Sequence, residues 1–153
     1  MPKIVIADTS FLIAIQKLEL FSQIQSLYKE IYVTPTIANE FKLKLPDWII
    51  IREPDNLQVA KVLSIVLDPG EASALALAYN FSDTVLILDD LKARKEAHKL
   101  GFKITGTLGV LYRLQQEGII DSLKNQLNQL TELGFRISPK IIEEILKRGQ
   151  DEA

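Results

Sequence analysis

The sequence predicts an α/β fold: a three-layer α/β/α sandwich around a central, mostly parallel sheet. Three observations carry that prediction. Short runs rich in Ile and Val alternate with segments of helical period along the chain. Those runs lack polar alternation, as strands buried on both faces do, and such strands belong to parallel sheets covered by helices. With 153 residues, 47% hydrophobic and 25% charged, the chain has the composition of one globular domain. A domain of that size buries about two thirds of the surface it would expose unfolded.

The first run, Ile4 to Ala7, predicts a strand ending at Asp8-Thr9-Ser10, and Phe11, Leu12, Ile15 and Leu18 then follow at helical spacing. Ile31 to Val33 is a second strand. Thr34-Pro35 reads as an N-cap with proline in the first helical position, leading a helix through Ile37, Phe41 and Leu45. Trp48 to Ile51 is a further short strand, and Asn56 to Leu67 is helical in pattern. Asp68-Pro69-Gly70-Glu71 opens an Ala-rich helix running to Tyr79. Val85 to Leu88 is a strand ending at Asp89-Asp90, and Leu91 to Leu100 a helix stopped by Gly101. Lys103 to Thr105 is the last strand, and Thr107 to Glu117 a helix stopped by Gly118. Residues 120–153 supply two C-terminal helices, Ile120 to Leu133 and Ser138 to Lys147. In the second of these, Ile141, Ile142, Ile145 and Leu146 form an apolar stripe that packs on the core or on a second copy in a homodimer.

Composition narrows the chemistry. No Cys excludes thiol nucleophiles, iron–sulfur clusters and thiolate zinc sites, and one His excludes a histidine-rich metal site. Eighteen Lys and Arg against twenty Asp and Glu leave a net charge of −2, so no global basic field attracts nucleic acid. No run is long enough for a signal peptide core or a membrane span, which predicts a cytoplasmic protein. Catalysis, if any, runs on carboxylates, hydroxyls, Lys or Arg.

Acidic residues gather where the predicted strands end. Asp8 follows IVIA, Asp89 and Asp90 follow TVLIL, Glu40 lies in the helix after IYVT, and Glu71 lies in the first turn of the Ala-rich helix. Ligands of open parallel sheets bind outside the carboxyl ends of the strands. Carboxylates crowded there raise each other's pKa, and a hard divalent cation, Mg²⁺ or Mn²⁺, relieves that repulsion. One or two such ions activate water and stabilise the leaving oxygen in phosphodiester hydrolysis. Each acid also has an ordinary structural reading. Asp8 alternatively caps the helix after it, although Thr9 or Ser10 would serve there and leave Asp8 free. Glu40 is alternatively a first-turn carboxylate favoured by the helix dipole, and Glu71 the far half of a capping box begun by Asp68. Asp89-Asp90 is alternatively a strand-ending turn that caps a helix.

A local basic surface lies beside these acids. Between Leu91 and Lys103, five cationic side chains, Lys92, Arg94, Lys95, Lys99 and Lys103, oppose Glu96 alone. Such a helix suits a polyanion held by its backbone. It also reads as a solvated face on an Ala93, Ala97, Leu100 stripe, with Lys92 paired to Glu96. His98, one turn beyond Arg94, either touches a substrate or is a surface residue.

The strings IVIADTSFLIA, VTPTIANEF, GEASALALA, LILDDLKARKEAHKLG and GTLGVL, in that order over roughly the first 115 residues, resemble the PIN domain family. That family comprises metal-dependent ribonucleases, including the VapC-type toxins of toxin–antitoxin pairs, and the strings look most like an uncharacterised PIN-like subgroup. The resemblance implies an endoribonuclease acting on single-stranded RNA with Mg²⁺ or Mn²⁺, and an antitoxin protein as a further partner. It matches Asp8, Glu40, Glu71 and Asp90 to the four family carboxylates, with Asp8, Glu71, Asp89 and Asp90 toward metal. It also makes Thr9, Ser10, Thr107 and Arg94 substrate-side neighbours. Glu71 stands where Asp is common, and Leu88 where many relatives carry Thr.

Readings of other classes remain. One is a PIN-like module that binds RNA or protein without cleavage. A phospho-receiver domain places its paired acids after the first strand, whereas here the pair comes late. A HAD-type phosphatase needs Asp two residues after the first, where Ser10 stands.

Overall fold

A computed structural model of the chain describes residues 4–137 together with Pro139, Lys140, Glu143 and Lys147. Five strands, β1 (Ile4–Ala7), β2 (Ile31–Val33), β3 (Ile49–Ile51), β4 (Thr84–Ile87) and β5 (Lys103–Thr105), form one sheet in the order β3-β2-β1-β4-β5. Every pairing is parallel, from Ile6 beside Tyr32 and Leu86 to Leu86 beside Ile104. The strands are apolar because both faces are covered: Val5, Ile6, Ala7, Ile31, Val33, Leu86 and Ile87 are all buried.

Among the described residues, helices α1 (Thr9–Leu18), α2 (Phe21–Leu27), α3 (Pro35–Phe41), α4 (Leu57–Leu63), α5 (Pro69–Ala78), α6 (Leu91–Lys99), α7 (Thr107–Gln116) and α8 (Leu123–Glu132) connect and cover the sheet. The chain winds from β1 out to β3, crosses back, and winds out again through β4 and β5. Right-handed crossovers in opposite directions put helices on opposite faces. On one face α8 packs on α1 and α7, and α7 meets α2; on the other, α4 lies over α5, which packs on β1 and β4. The result is the expected α/β/α sandwich. Close approach of α5 follows from its small residues: everything from Gly70 to Ala78 is buried.

Most elements lie where the hydrophobic period places them, and the departures have local causes. The helix expected to continue through Leu45 ends at Phe41, because Lys42 adopts a left-handed conformation at φ 66°. Asn56 caps α4 as read, but α4 stops at Leu63 and residues 64–67 turn into the next helix. The strand expected over Val85 to Leu88 is displaced by one residue to Thr84–Ile87, although the Leu88 N–H still bonds to the Thr105 carbonyl. Helix α2 was not read from the sequence although Phe21, Ile24 and Leu27 recur at helical spacing; it is seven residues long and Ile24 is its one buried residue. The expected helix over Ser138 to Lys147, with its Ile141, Ile142, Ile145 and Leu146 stripe, lies largely outside the described residues.

Candidate functional site

Reversal of winding direction occurs between β1 and β4, the two central strands. Their carboxyl ends therefore open a crevice, the position where doubly wound sheets bind ligands. Asp8 leaves β1 there and Asp89-Asp90 leave β4 beside it. The start of α5 delivers Glu71, and the last turn of α3 delivers Glu40.

Asp8 is buried and occupies the N-cap position of α1, where Oδ1 accepts the Thr9 N–H at 2.7 Å. The expectation that Thr9 or Ser10 would cap and leave Asp8 free is therefore corrected: Asp8 itself terminates the extended strand, so the cap falls on it. Only one of its oxygens is taken. Burial pushes its pKa up to about 6; the Thr9 N–H opposes the rise, while Glu40, Asp89 and Asp68 add to it by repulsion.

Glu71 is also buried. Its Oε1 reaches back to the Asp68 N–H at 3.3 Å, the reciprocal half of a capping box. Burial, then repulsion from Asp8 and Asp90, pushes its pKa up to about 7, against the lowering effect of that N–H. The capping reading of Glu71 is thus realised, in a side chain that is also buried beside Asp8 and Asp90.

Glu40 is not a first-turn residue. It sits in the last turn of α3, where the helix dipole disfavours a carboxylate. What holds it is the Thr9 hydroxyl, which donates to Glu40 Oε1 at 2.9 Å, and a seat directly over Gly70, where a Cβ would collide with the carboxylate. A side chain placed against its own helix dipole and accommodated by a glycine on another helix is fixed by the crevice.

The two acids after β4 divide their work. Asp90 caps α6, accepting the Ala93 N–H at 3.0 Å through Oδ2. Asp89 reaches across to α7, accepting the Thr107 N–H at 2.8 Å and the Thr107 hydroxyl at 2.5 Å. Since Gly106 carries no capping side chain, Asp89 supplies the cap from 18 residues away. Thr107 is buried and faces Asp89, and Ser10 is exposed in the first turn of α1.

Arg94 has a structural attachment that the sequence did not reveal: Nη1 donates to the Leu88 carbonyl at 2.8 Å. The remaining donors of its fork are left for other acceptors. On the rest of α6, Glu96 pairs with Lys99 at 3.5 Å and not with Lys92. Among the described residues Lys92 and Lys95 carry no ion pair, so both exposed cations are available to a polyanion. His98 is exposed in the last turn.

Sequence reasoning missed a buried brace under this crevice. The Thr34 and Ser73 hydroxyls lie 2.6 Å apart, Ser73 donates to the Gly70 carbonyl at 2.7 Å, and Thr34 accepts the Ile37 N–H. It fixes the start of α5, hence Glu71, to the end of β2.

All donors here are oxygens, which suits a hard divalent cation. Among the described residues, however, no three acidic or His side chains converge closely enough to hold an ion as they stand. Each carboxylate rests on an N–H or hydroxyl, and those attachments keep mutually repelling groups apart.

The family model described as DUF3368: PIN domain matches residues 4–151. The chain belongs to the PIN domain family. No curated protein matches it. PIN domains are generally nucleases that use divalent metals, and an oxygen-donor crevice at the switch point of the sheet fits that character. Among the described residues no helix is long and apolar enough to cross a membrane.

Proposed function

We propose that this PIN domain is a metal-dependent endoribonuclease that hydrolyses phosphodiester bonds of single-stranded RNA in the cytoplasm. The observation that carries the reading is the placement of Asp8, Glu40, Glu71, Asp89 and Asp90 from four separate parts of the fold around one crevice. Two of them, Asp8 and Glu71, are buried acids at odds with their neighbours' charge. Buried, mutually repelling carboxylates are costly for a fold, and such arrangements mark functional sites.

In this reading Asp8 and Asp90 are the principal ligands of Mg²⁺ or Mn²⁺, Glu71 completes the set directly or through water, and Asp89 stands beside them. The bound ion supplies Lewis acidity toward water and the leaving oxygen. Glu40, held by Thr9, orients the attacking water or serves a second ion. Ser10 and Thr107 line the path of the strand, and Arg94, Lys92 and Lys95 take its phosphates. Purified protein is expected to cleave single-stranded RNA with Mg²⁺ or Mn²⁺ and to stop in EDTA. Should Asp8→Asn and Asp90→Asn cleave as fast as the parent, the assignment fails.

A second reading has its own support. The attachment of every carboxylate to an N–H or hydroxyl of the fold, and Leu88 with no hydroxyl beside Asp89, suit a PIN-like module that binds RNA or protein without turnover. Metal binding with no cleavage across a broad RNA panel would select it. The toxin role with an antitoxin partner rests on the family resemblance; a small antitoxin-like protein encoded by the neighbouring gene, neutralising the cleavage activity, is its test.

A further inference from the structure

A cavity of about 730 Å³ adjoins the acidic crevice on the side of the sheet covered by α1, α7 and α8. That volume lies within the range of small-molecule sites, about 300–1,000 Å³. Its lining joins two kinds of residue. Ser10, Asp89, Arg94 and Thr107 belong to the crevice. Tyr112, more than one turn farther along α7, forms an apolar and aromatic wall with Leu130 of α8 and Phe135 beyond it. The mechanism read from the carboxylates makes no use of that wall.

Charge and shape identify the occupant. Arg94 stands where crevice and cavity meet, tied through Nη1 to the Leu88 carbonyl. It packs over Gly106, where a Cβ would come within 2.9 Å of both Arg94 Nη1 and Asp89 Oδ1. Arg136, also in the lining, is exposed and carries no ion pair among the described residues. Asp89 is the one acid of the described lining, and both of its oxygens are engaged by Thr107. The cavity therefore offers free cationic donors around an apolar interior. Leu91, 78% exposed directly after Asp90, adds an apolar side chain to the same lining while contributing nothing to the core. A flat apolar group with phosphate on either side fits this set, and a nucleotide within a strand has that form.

We propose that the cavity is a nucleobase subsite, which takes the base next to the cleaved phosphodiester. The base enters between Leu91 and the wall of Tyr112 and Phe135, while Arg94 and Arg136 hold the phosphates before and after it. Bases of single-stranded RNA are free to splay out and stack on aromatic side chains in this way. The inference rests on the ribonuclease reading of the crevice, and it moves the choice of cleavage position from the carboxylates to the cavity.

Two measurements on the full chain test it. In EDTA, calorimetric titration with AMP, GMP, CMP, UMP and ribose 5-phosphate reads base binding apart from cleavage. At least one nucleotide is expected to bind about 10-fold or more tightly than ribose 5-phosphate, the order that stacking of one base supplies. Leu91→Ser and Phe135→Ala each reduce that advantage about 5-fold or more and leave ribose 5-phosphate binding unchanged. Because Leu91 is so exposed, Leu91→Ser keeps the parent's melting temperature, and its loss of binding is not a loss of fold. Ile65→Ser, at an 82% exposed position in the turn after α4, changes neither ligand. With Mg²⁺, single-stranded RNA made abasic on one side of the cleaved bond is cut about 10-fold more slowly, and Leu91→Ser removes the difference. Ribose 5-phosphate bound as tightly as every nucleotide overturns the subsite. Abasic RNA cut at the parent's rate on both sides overturns it too: with nucleotide binding intact the cavity then serves a free nucleotide, and without it a protein segment. Base-dependent nucleotide binding with no cleavage of any RNA supports the base site and removes the ribonuclease reading instead.

Discussion

The Thr9 hydroxyl donates to Glu40 Oε1 at 2.9 Å, joining the first residue of α1 to the last turn of α3 across 31 positions of sequence. The same carboxylate oxygen occupies the space that a side chain on Gly70 would fill. Three elements, α1, α3 and α5, are therefore registered against each other through a single carboxylate. Glu40 sits there despite its own helix dipole, so the crevice and not the helix sets its position.

Gly70→Ala tests that registration. In an ordinary helix the change stabilises by about 0.5–1 kcal/mol, through backbone entropy alone. Here the new methyl displaces the Glu40 carboxylate. The expected result is RNA cleavage reduced about 10- to 100-fold, since displacing a positioned group by about 1 Å costs that order, with the thermal midpoint unchanged or lower. A variant more stable than the parent that cleaves at the parent's rate would show that Glu40 has room to move.

The sheet and most helices were legible because parallel strands covered on both faces leave uninterrupted apolar runs, and because Thr34, Asn56 and Gly101 punctuate the chain by known rules. Asp8 and Asp90 were legible for the same reason, since each stands where an apolar run stops, and Glu71 was legible as the first-turn acid of the helix opened by Asp68-Pro69-Gly70. What the sequence hid depends on contacts between distant residues. Asp89 serving Thr107, Arg94 serving Leu88, and Thr34 meeting Ser73 leave no local trace. The first-turn alternative for Glu40 conflicts with a helix that starts at Thr34-Pro35, whereas its place in the last turn depends on the left-handed Lys42, which no apolar period marks. Periodicity marks a helix over Asn56 to Leu67, but it does not show that Leu57, Val62, Ile65 and Val66 lie exposed.

Asp89 and Asp8 are both acids at strand ends, yet their removal has opposite effects on stability. Asp89→Ala deletes two bonds to Thr107 and strips α7 of its cap, so the metal-free protein loses about 1–2 kcal/mol. Asp8→Asn keeps an acceptor for the Thr9 N–H and removes a buried charge that burial and its neighbours oppose, so the metal-free protein at pH 7 gains about 1–3 kcal/mol. Urea denaturation of the two variants in EDTA separates them. Equal losses would mean that Asp8 is a cap and nothing more.

The raised pKa values of Asp8, about 6, and Glu71, about 7, dictate how stability responds to pH and to metal. Between the ordinary carboxylate range and those values the folded chain holds protons that the unfolded chain has released. Stability therefore falls as pH rises from about 4 to 7, the reverse of a salt-bridged acid, whose contribution disappears on acidification. The contribution is complete below the unfolded pKa and gone above the folded one. A divalent ion replaces those protons, so Mg²⁺ or Mn²⁺ raises the melting temperature more at pH 8 than at pH 5, and EDTA reverses the gain. Differential scanning fluorimetry at the two pH values, with and without metal, reads both effects. In Asp8→Asn the metal-induced shift shrinks and the decline in stability becomes shallower, leaving the portion due to Glu71, whose own pKa falls once the Asp8 charge is gone. A metal response equal at pH 5 and pH 8 would remove these carboxylates from the binding site.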